Sequence, residues 1–475
     1  MSRRSLVKLS LGAVAATLFA LVLGCASKPT KAAEKPPAPV VQPDSRPPVP
    51  PPEKVPRVMV GIDVLEADKF AAVVGKKIGL LTHPAGVNRR GESTVDVLRR
   101  APGVRLVALF APEHGIDGTI KAGENFNNTV DKRTGLPVFA LYGQGLEKAK
   151  SMVKGLDALV VDLQDIGVRS YTFNVIMRYA MEACFENGVE VIVLDRPNPL
   201  GGLKVDGPPL DVENLSGVGA YPHMPYVHGL TIGEIARLAK GGSRVISGMA
   251  IPEKLREKGR LTVIPMRGWT RAMRWPDTEL KWVATSPNIP SYESVIGYAM
   301  VGLGSDSPSH SGWTWGIGRD FPFRGIGFPK KTPDEIVKAM EAYKIPGIAF
   351  MKRAGRDREG KPITGVYVEV TDWDAWRPTE LSFYMHKQAT KWTRLNPFAA
   401  LTTDEQRTFK IHVGSTAWLN ALSREGGKVN VPSFLQNWQA RDAIYLEDTK
   451  RFWLYPWAEA APVVPVSPAA PAVKK

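Results

Sequence analysis

Five short aliphatic runs constrain this chain more than anything else in it: "KIGLL" (77–81), "VRLVALFA" (104–111), "LPVFAL" (136–141), "LDALVV" (156–161) and "VEVIVL" (189–194). Strands that are apolar at nearly every position must be covered on both faces, because an alternating pattern would leave one face for water. Helix-like stretches fall between the runs, at Thr94 to Arg100, Leu146 to Lys154 and Phe173 to Asn187, and supply the covering layers. The fold class that follows is α/β, a Rossmann-like parallel sheet flanked by helices. After about Tyr298 the texture changes to glycine, serine and tryptophan, then to a helical pattern ("TPDEIVKAMEAY") and an alternating strand ("GVYVEVTD"). That part reads as a second, smaller α+β domain leaning over the first.

Parallel sheets concentrate chemistry at the carboxyl ends of their strands. Four polar segments stand there: "THPAG", "FAPEHG", "DLQDIGVRSYTF" and "LDRPNPLGG". Glu113, stiffened by Pro112, is a candidate general acid, since partial desolvation would raise its pKa toward neutrality; the bland alternative is a loop carboxylate paired with Lys121 or Arg105. His114 is open to substrate binding, metal ligation or a structural hydrogen bond, and a lone Glu-His step has no metal-ligand spacing. Asp162 and Asp165, with Gln164, Arg169, Tyr171 and Phe173 around them, suit a sugar, because aromatic faces stack on pyranose and arginine grips carboxylate. An Asp-Arg ion pair that shapes the loop is the competing reading.

Asn198 in "RPNPLGG" and Asn288 in "SPNIP" are amides held between prolines, suited to hydroxyl or acetamido groups, although Asn-Pro is also ordinary turn chemistry. Thr231, with Glu234 three residues on, forms an N-cap signature, and His228 at that helix mouth is placed to meet an anionic group. His223 reads as structural. No Gly-x-Ser-x-Gly elbow, Walker loop, Rossmann glycine fingerprint, His-Glu-x-x-His or cysteine pair occurs, so serine hydrolysis, nucleotide chemistry and zinc proteolysis have no support. No cofactor and no metal are expected. A metal-dependent hydrolase built on Glu113, His114, Asp162 and Asp165 is the weakest alternative.

Arg3, Arg4 and Lys8 precede an apolar run, Leu9 to Leu23, too short to span a bilayer, which reads as an export signal over residues 1–25. It ends in "LVLGC", which resembles the lipobox of bacterial lipoproteins and implies Cys25 as a lipidated first residue. Ala26 rather than aspartate implies an outer-membrane address facing the periplasm. Residues 26–58 are rich in proline, alanine and lysine and cannot build a core. As polyproline II they form a tether reaching roughly 100 Å, at about 3.1 Å per residue. Residues 458–475 read as a second low-complexity tail. With Cys25 acylated only Cys184 remains, a small residue in a helix-like pattern, so no internal disulfide is available. The net charge of +15 is dispersed rather than patched, and an exported chain meets no nucleic acid; cell wall or lipid headgroups are the better anionic partners.

A run of longer segments, among them "GKKIGLLTHPAGVNRRGEST", "LFAPEHGIDG", "LDALVVDLQDIGVRSYTF", "VIVLDRPNPLGG", "MPYVHGLTIGEIA", "VIPMRGWTR" and "SPNIP", resembles in content and order the family once known as DUF1343. That family includes the NamZ-like exo-β-N-acetylmuramidases of glycoside hydrolase family 171. The resemblance implies a Rossmann-like domain plus a smaller C-terminal domain with the site in the cleft between them. It also implies removal of terminal N-acetylmuramic acid (MurNAc) from peptidoglycan fragments, with the glutamate of "PEHG", Glu113, as catalytic acid. Asp165 is then the candidate second carboxylate, and Arg169 and His228 are the expected partners of the MurNAc lactyl carboxylate. Where relatives carry a glutamate followed by a Gly-Arg pair, this chain has "GLGSDSPSHSGWTWGIGRDFPF", without that glutamate near Ser305 and with the pair only as Gly318-Arg319. The expected organisation is therefore a catalytic domain over 59–298, an altered cleft loop over 299–328 and an auxiliary α+β domain over 329–457. The departure leaves open a second reading, a catalytically silent murein-binding lipoprotein.

Overall fold

The computed structural model describes residues 58–242, 251–303 and 311–458. The expected export signal with Cys25, nearly all of the tether, the surroundings of Ser305 and nearly all of the C-terminal tail lie outside these residues.

The aliphatic runs become β1 (Lys77–Thr82), β2 (Arg105–Ala111), β4 (Pro137–Ala140), β5 (Ala158–Asp162) and β6 (Glu190–Leu194). With β3 (Thr129–Val130) and β7 (Leu261–Ile264) they make one sheet in the order β3-β4-β2-β1-β5-β6-β7. Every pairing is parallel except β3 with β4.

Period-two alternation divides each strand between two cores. In β5, Ala158 and Val160 enter the cluster under the helix Thr94–Arg100, while Leu159 and Val161 enter the cluster shared with the helix Thr172–Glu186. In β6, Ile192 and Leu194 take the first side, Val191 and Val193 the second. Both faces are covered, which is why these runs show no polar alternation. Cys184 sits fully buried on the Thr172–Glu186 helix, and desolvation pushes its thiol up.

A second sheet, fully antiparallel, runs β10-β11-β9-β8, from β8 (Thr314–Trp315), β9 (Gly325–Gly327), β10 (Ile348–Arg356) and β11 (Pro362–Val370). Two of its strands fall inside 299–328. The described residues 311–328 of the expected cleft loop thus carry strands of a sheet, because Gly325 and Ile326 pair with β11. The helix Pro333–Glu341 starts at a Thr332–Glu335 capping box, and the helix Ile232–Gly241 at the expected Thr231–Glu234 box. Among the described residues no helix is long and apolar enough to cross a membrane.

Three buried carboxyls sit where the last long helix, Val431–Thr449, meets the rest. Asp206 accepts from the Thr379 N–H and hydroxyl at 2.8 and 2.7 Å. Burial, then the charge of Asp206, pushes Glu380 up to about 7 and Asp442 up to about 9. A carboxyl that holds its proton more tightly when folded adds stability fully below its unfolded pKa of about 4 and loses that contribution as pH rises through the folded value. We expect Asp442→Asn to raise the thermal midpoint at about pH 8 and to flatten its decline between about pH 6 and 9. Melting curves across that range check it, and an unchanged slope would remove the role given to Asp442.

Candidate active site

The sheet order reverses at β1, since the chain builds outward through β2 and β4 and then returns to lay β5 on the other side. Ligands usually occupy the crevice at such a reversal. Here that crevice is filled. His83, after β1, accepts the Gln164 N–H at 3.0 Å through Nε2 and packs edge-on against Phe173. Burial and the neighbouring Arg196 charge hold its pKa well below the usual histidine value, so it is neutral. Asp162 at the end of β5 accepts from Thr94 and from both Nε and Nη2 of Arg196. Its ion partner is Arg196, not the Arg169 read from sequence.

The open space is displaced toward the ends of β2 and β4, as a cavity of about 550 Å³. "PEHG" forms a turn at its wall: Gly115 N–H donates to the Pro112 carbonyl, and His114 adopts φ 72°, an unusual conformation for a non-glycine residue. Ile120 pins that turn, donating its N–H to the His114 carbonyl while its own carbonyl accepts from His114 Nδ1 at 2.8 Å. The turn sends Glu113 to the first residue of the helix Thr172–Glu186. Its Oε2 accepts the Thr172 hydroxyl at 2.6 Å and its Oε1 the Gly123 N–H at 2.8 Å. The Tyr142 phenol, just past β4, is a third hydrogen-bond partner; burial and the Glu113 carboxylate push that phenol up. A helix N-terminus and three donors make a fixed seat for one carboxyl group.

The opposite walls come from the second half of the chain. Tyr298, Trp315 and Phe323 line the cavity, with Phe323 edge-on to Tyr298 at 5.0 Å, and His412 joins them from the helix Thr403–Val413. Aromatic faces opposite a seated carboxyl suit a pyranose ring.

Of the residues singled out from sequence, Glu113, His114, Tyr171 and Asn288 line this cavity. The others do not. Asp165 is buried, with Oδ2 held by the Gly167 N–H at 2.7 Å and by His228 Nε2 at 3.1 Å. His228 Nδ1 accepts the Leu230 N–H, so its proton sits on Nε2 and donates to Asp165. Both are committed to each other behind the wall, which corrects Asp165 as second carboxylate and His228 as anion ligand. Arg169 is corrected too: fully buried, its guanidinium donates to the carbonyls of Pro208, Met224, His412 and Val413. Burial brings its pKa down to about 10, still a cation at neutral pH. Gln164 spends its amide on the carbonyls of Asp165 and Pro197 and lines a separate space of only about 50 Å³. Asn198 closes its own turn, accepting from Leu200 N–H and donating to the Leu230 carbonyl, whereas Asn288 is exposed on the cavity with its turn closed by Ser286 instead. The set Glu113, His114, Asp162 and Asp165 does not come together, and among the described residues no group of three or more acidic, histidine or cysteine side chains is arranged to hold a metal.

Sequence reading missed Tyr142, Thr172 and His412. Thr172 was within reach, as the polar first residue of a helix behind a strand. Tyr142 and His412 carry no local signal, because only the folded chain brings them to residue 113.

The models for "Exo-beta-N-acetylmuramidase NamZ", N-terminal and C-terminal, match residues 78–293 and 297–455. The chain is 39% identical over 325 residues to the peptidoglycan β-N-acetylmuramidase NamZ of Bacillus subtilis (strain 168), covering 68% of this chain and 74% of that one. Two solved DUF1343 family proteins from Bacteroides fragilis superpose on it with TM-scores of 0.73 and 0.63 at 31% and 25% identity. Each comparison covers 84% of this chain and 99% of the other.

Proposed function

The chain belongs to the NamZ family of exo-β-N-acetylmuramidases, and from that premise we infer that it is a glycoside hydrolase removing terminal MurNAc from peptidoglycan fragments. The observation that carries the reading in this molecule is Glu113, seated by three donors at the wall of a cavity faced with aromatic rings. In this reading Glu113 protonates the glycosidic oxygen as the bond to C1 breaks, and a water gives its hydroxyl to C1 and its proton to the carboxylate left behind. Tyr298, Trp315 and Phe323 take the apolar face of the sugar, and Asn288 and His114 its polar substituents. Glu113 is the one carboxylate lining the cavity among the described residues, so a second carboxylate is not supplied by Asp165.

Incubation of the purified protein with MurNAc-terminated fragments is expected to release free MurNAc and shorten each chain by that one residue. Saturable binding with no MurNAc released would replace the enzyme with a murein-binding protein.

Export and lipidation belong to the same proposal, supported by the "LVLGC" segment and the proline-rich stretch behind it. Two or more acyl chains on Cys25 would hold the protein at the outer membrane, facing the periplasm. Cys25→Ala is expected to move it from the membrane fraction to the soluble fraction of fractionated cells; retention in the membrane would remove the anchor.

A further inference from the structure

A second space, of about 630 Å³, adjoins the catalytic cavity and shares two wall residues with it, Tyr142 and Val218. We propose that this space is the subsite for the leaving sugar, a neutral pyranose, and that Tyr179 and Arg407 are its recognition residues. The proposal rests on the exo-muramidase reading above.

Two helices run from one space to the other. On the helix Thr172–Glu186, Thr172 donates to Glu113, while Ile176 and Tyr179 line the second space. Spacings of four and three residues put all three on one helix face, over about 10 Å at about 1.5 Å per residue. On the helix Thr403–Val413, His412 faces the catalytic cavity, and Asp404, Arg407, Thr408 and Ile411 face the second. The wall between the two spaces is the tyrosine that hydrogen-bonds to the acid. A general acid acts at the oxygen joining the two sugars, so what lies beyond its partner is the leaving-group side.

The lining fits a neutral ring. Leu141, Ile176 and Ile411 give it an apolar floor. The Arg178 guanidinium lies 3.9 Å from the Tyr179 ring centroid and is itself paired to Glu182 at 2.8 Å, which fixes the ring as a platform. At the rim Arg407 and Asp404 are both exposed, and Arg407 forms no ion pair among the described residues. One cation and one anion offer donors and acceptors to hydroxyls without a net charge, which disfavours an acidic lactyl group or peptide stem at this position.

The test compares a MurNAc–GlcNAc disaccharide with the methyl β-glycoside of MurNAc, which has no leaving sugar, in wild type, Tyr179→Ala and Arg407→Ala. KM for the disaccharide is expected to rise about 5–10-fold in each variant, the loss of one good contact, and by several-fold more than for the methyl glycoside. Arg407 is exposed, so its variant reads the subsite even if Tyr179→Ala unfolds. Calorimetric titration with free GlcNAc supplies a readout independent of turnover: wild type should bind and Arg407→Ala should bind at least fivefold more weakly. Equal penalties on both substrates would assign the space to part of MurNAc itself and overturn the proposal, as would no penalty on either or equal GlcNAc binding. Absence of turnover in the wild type would sink the muramidase reading alone, leaving the titration to decide the subsite.

Discussion

Glu113→Gln should lower kcat on a MurNAc glycoside by about 10²–10⁴-fold, the range that a positioned proton donor contributes. Glutamine keeps the shape of the side chain and one acceptor oxygen, so the Thr172 or Gly123 hydrogen bond survives. It has no proton to give to a leaving alkoxide. KM should change far less than kcat, because the lost interaction exists only as the bond breaks. The drop should shrink with a nitrophenyl leaving group, which departs without help, and remain large with a sugar. Loss of the same size on both aglycones would point to a positioning role, and turnover equal to wild type would end the assignment of Glu113 as the acid.

The second large effect falls on stability. Arg169→Met should cost about 3–5 kcal/mol, since it leaves carbonyls buried without partners at about 1–3 kcal/mol each. The Arg169 guanidinium joins two carbonyls of the first half, Pro208 and Met224, to two at the end of the helix Thr403–Val413, His412 and Val413. That clasp holds His412 against the cavity. Denaturant unfolding should therefore show the loss, with turnover falling only as His412 moves. A substrate ligand would behave in the opposite way, raising KM and leaving the unfolding midpoint where it was; that result would return Arg169 to the role its sequence neighbourhood suggested.

Arg169 also illustrates how far a motif can be read. In "DLQDIGVRSYTF" two aspartates, an arginine and two aromatic residues look like one sugar-binding rim. Folded, the stretch disperses: Asp162 turns to Arg196, Asp165 to His228, Arg169 to backbone carbonyls, and only Ser170, Tyr171 and Thr172 reach the cavity. Every polar group drawn below the surface must find a partner there, and which partner depends on strands and loops distant in the chain. Asn198 and Asn288 each follow a proline, and only the second faces the cavity, because the first lies deeper and is spent on Leu200 and Leu230.

What this sequence determined by itself was whatever depends on neighbours along the chain. Its aliphatic runs specify buried parallel strands, and Thr231 and Thr332 begin helices with their own glutamates. The tertiary structure alone decided which carboxyl would be free to work. Glu113 and Asp165 both stand past strand ends; one meets donors at the mouth of a cavity and the other a histidine beneath its wall. Burial and hydrogen bonding are properties of the space around a side chain, and that space exists only once residues 142, 172, 315 and 412 have been brought beside residue 113.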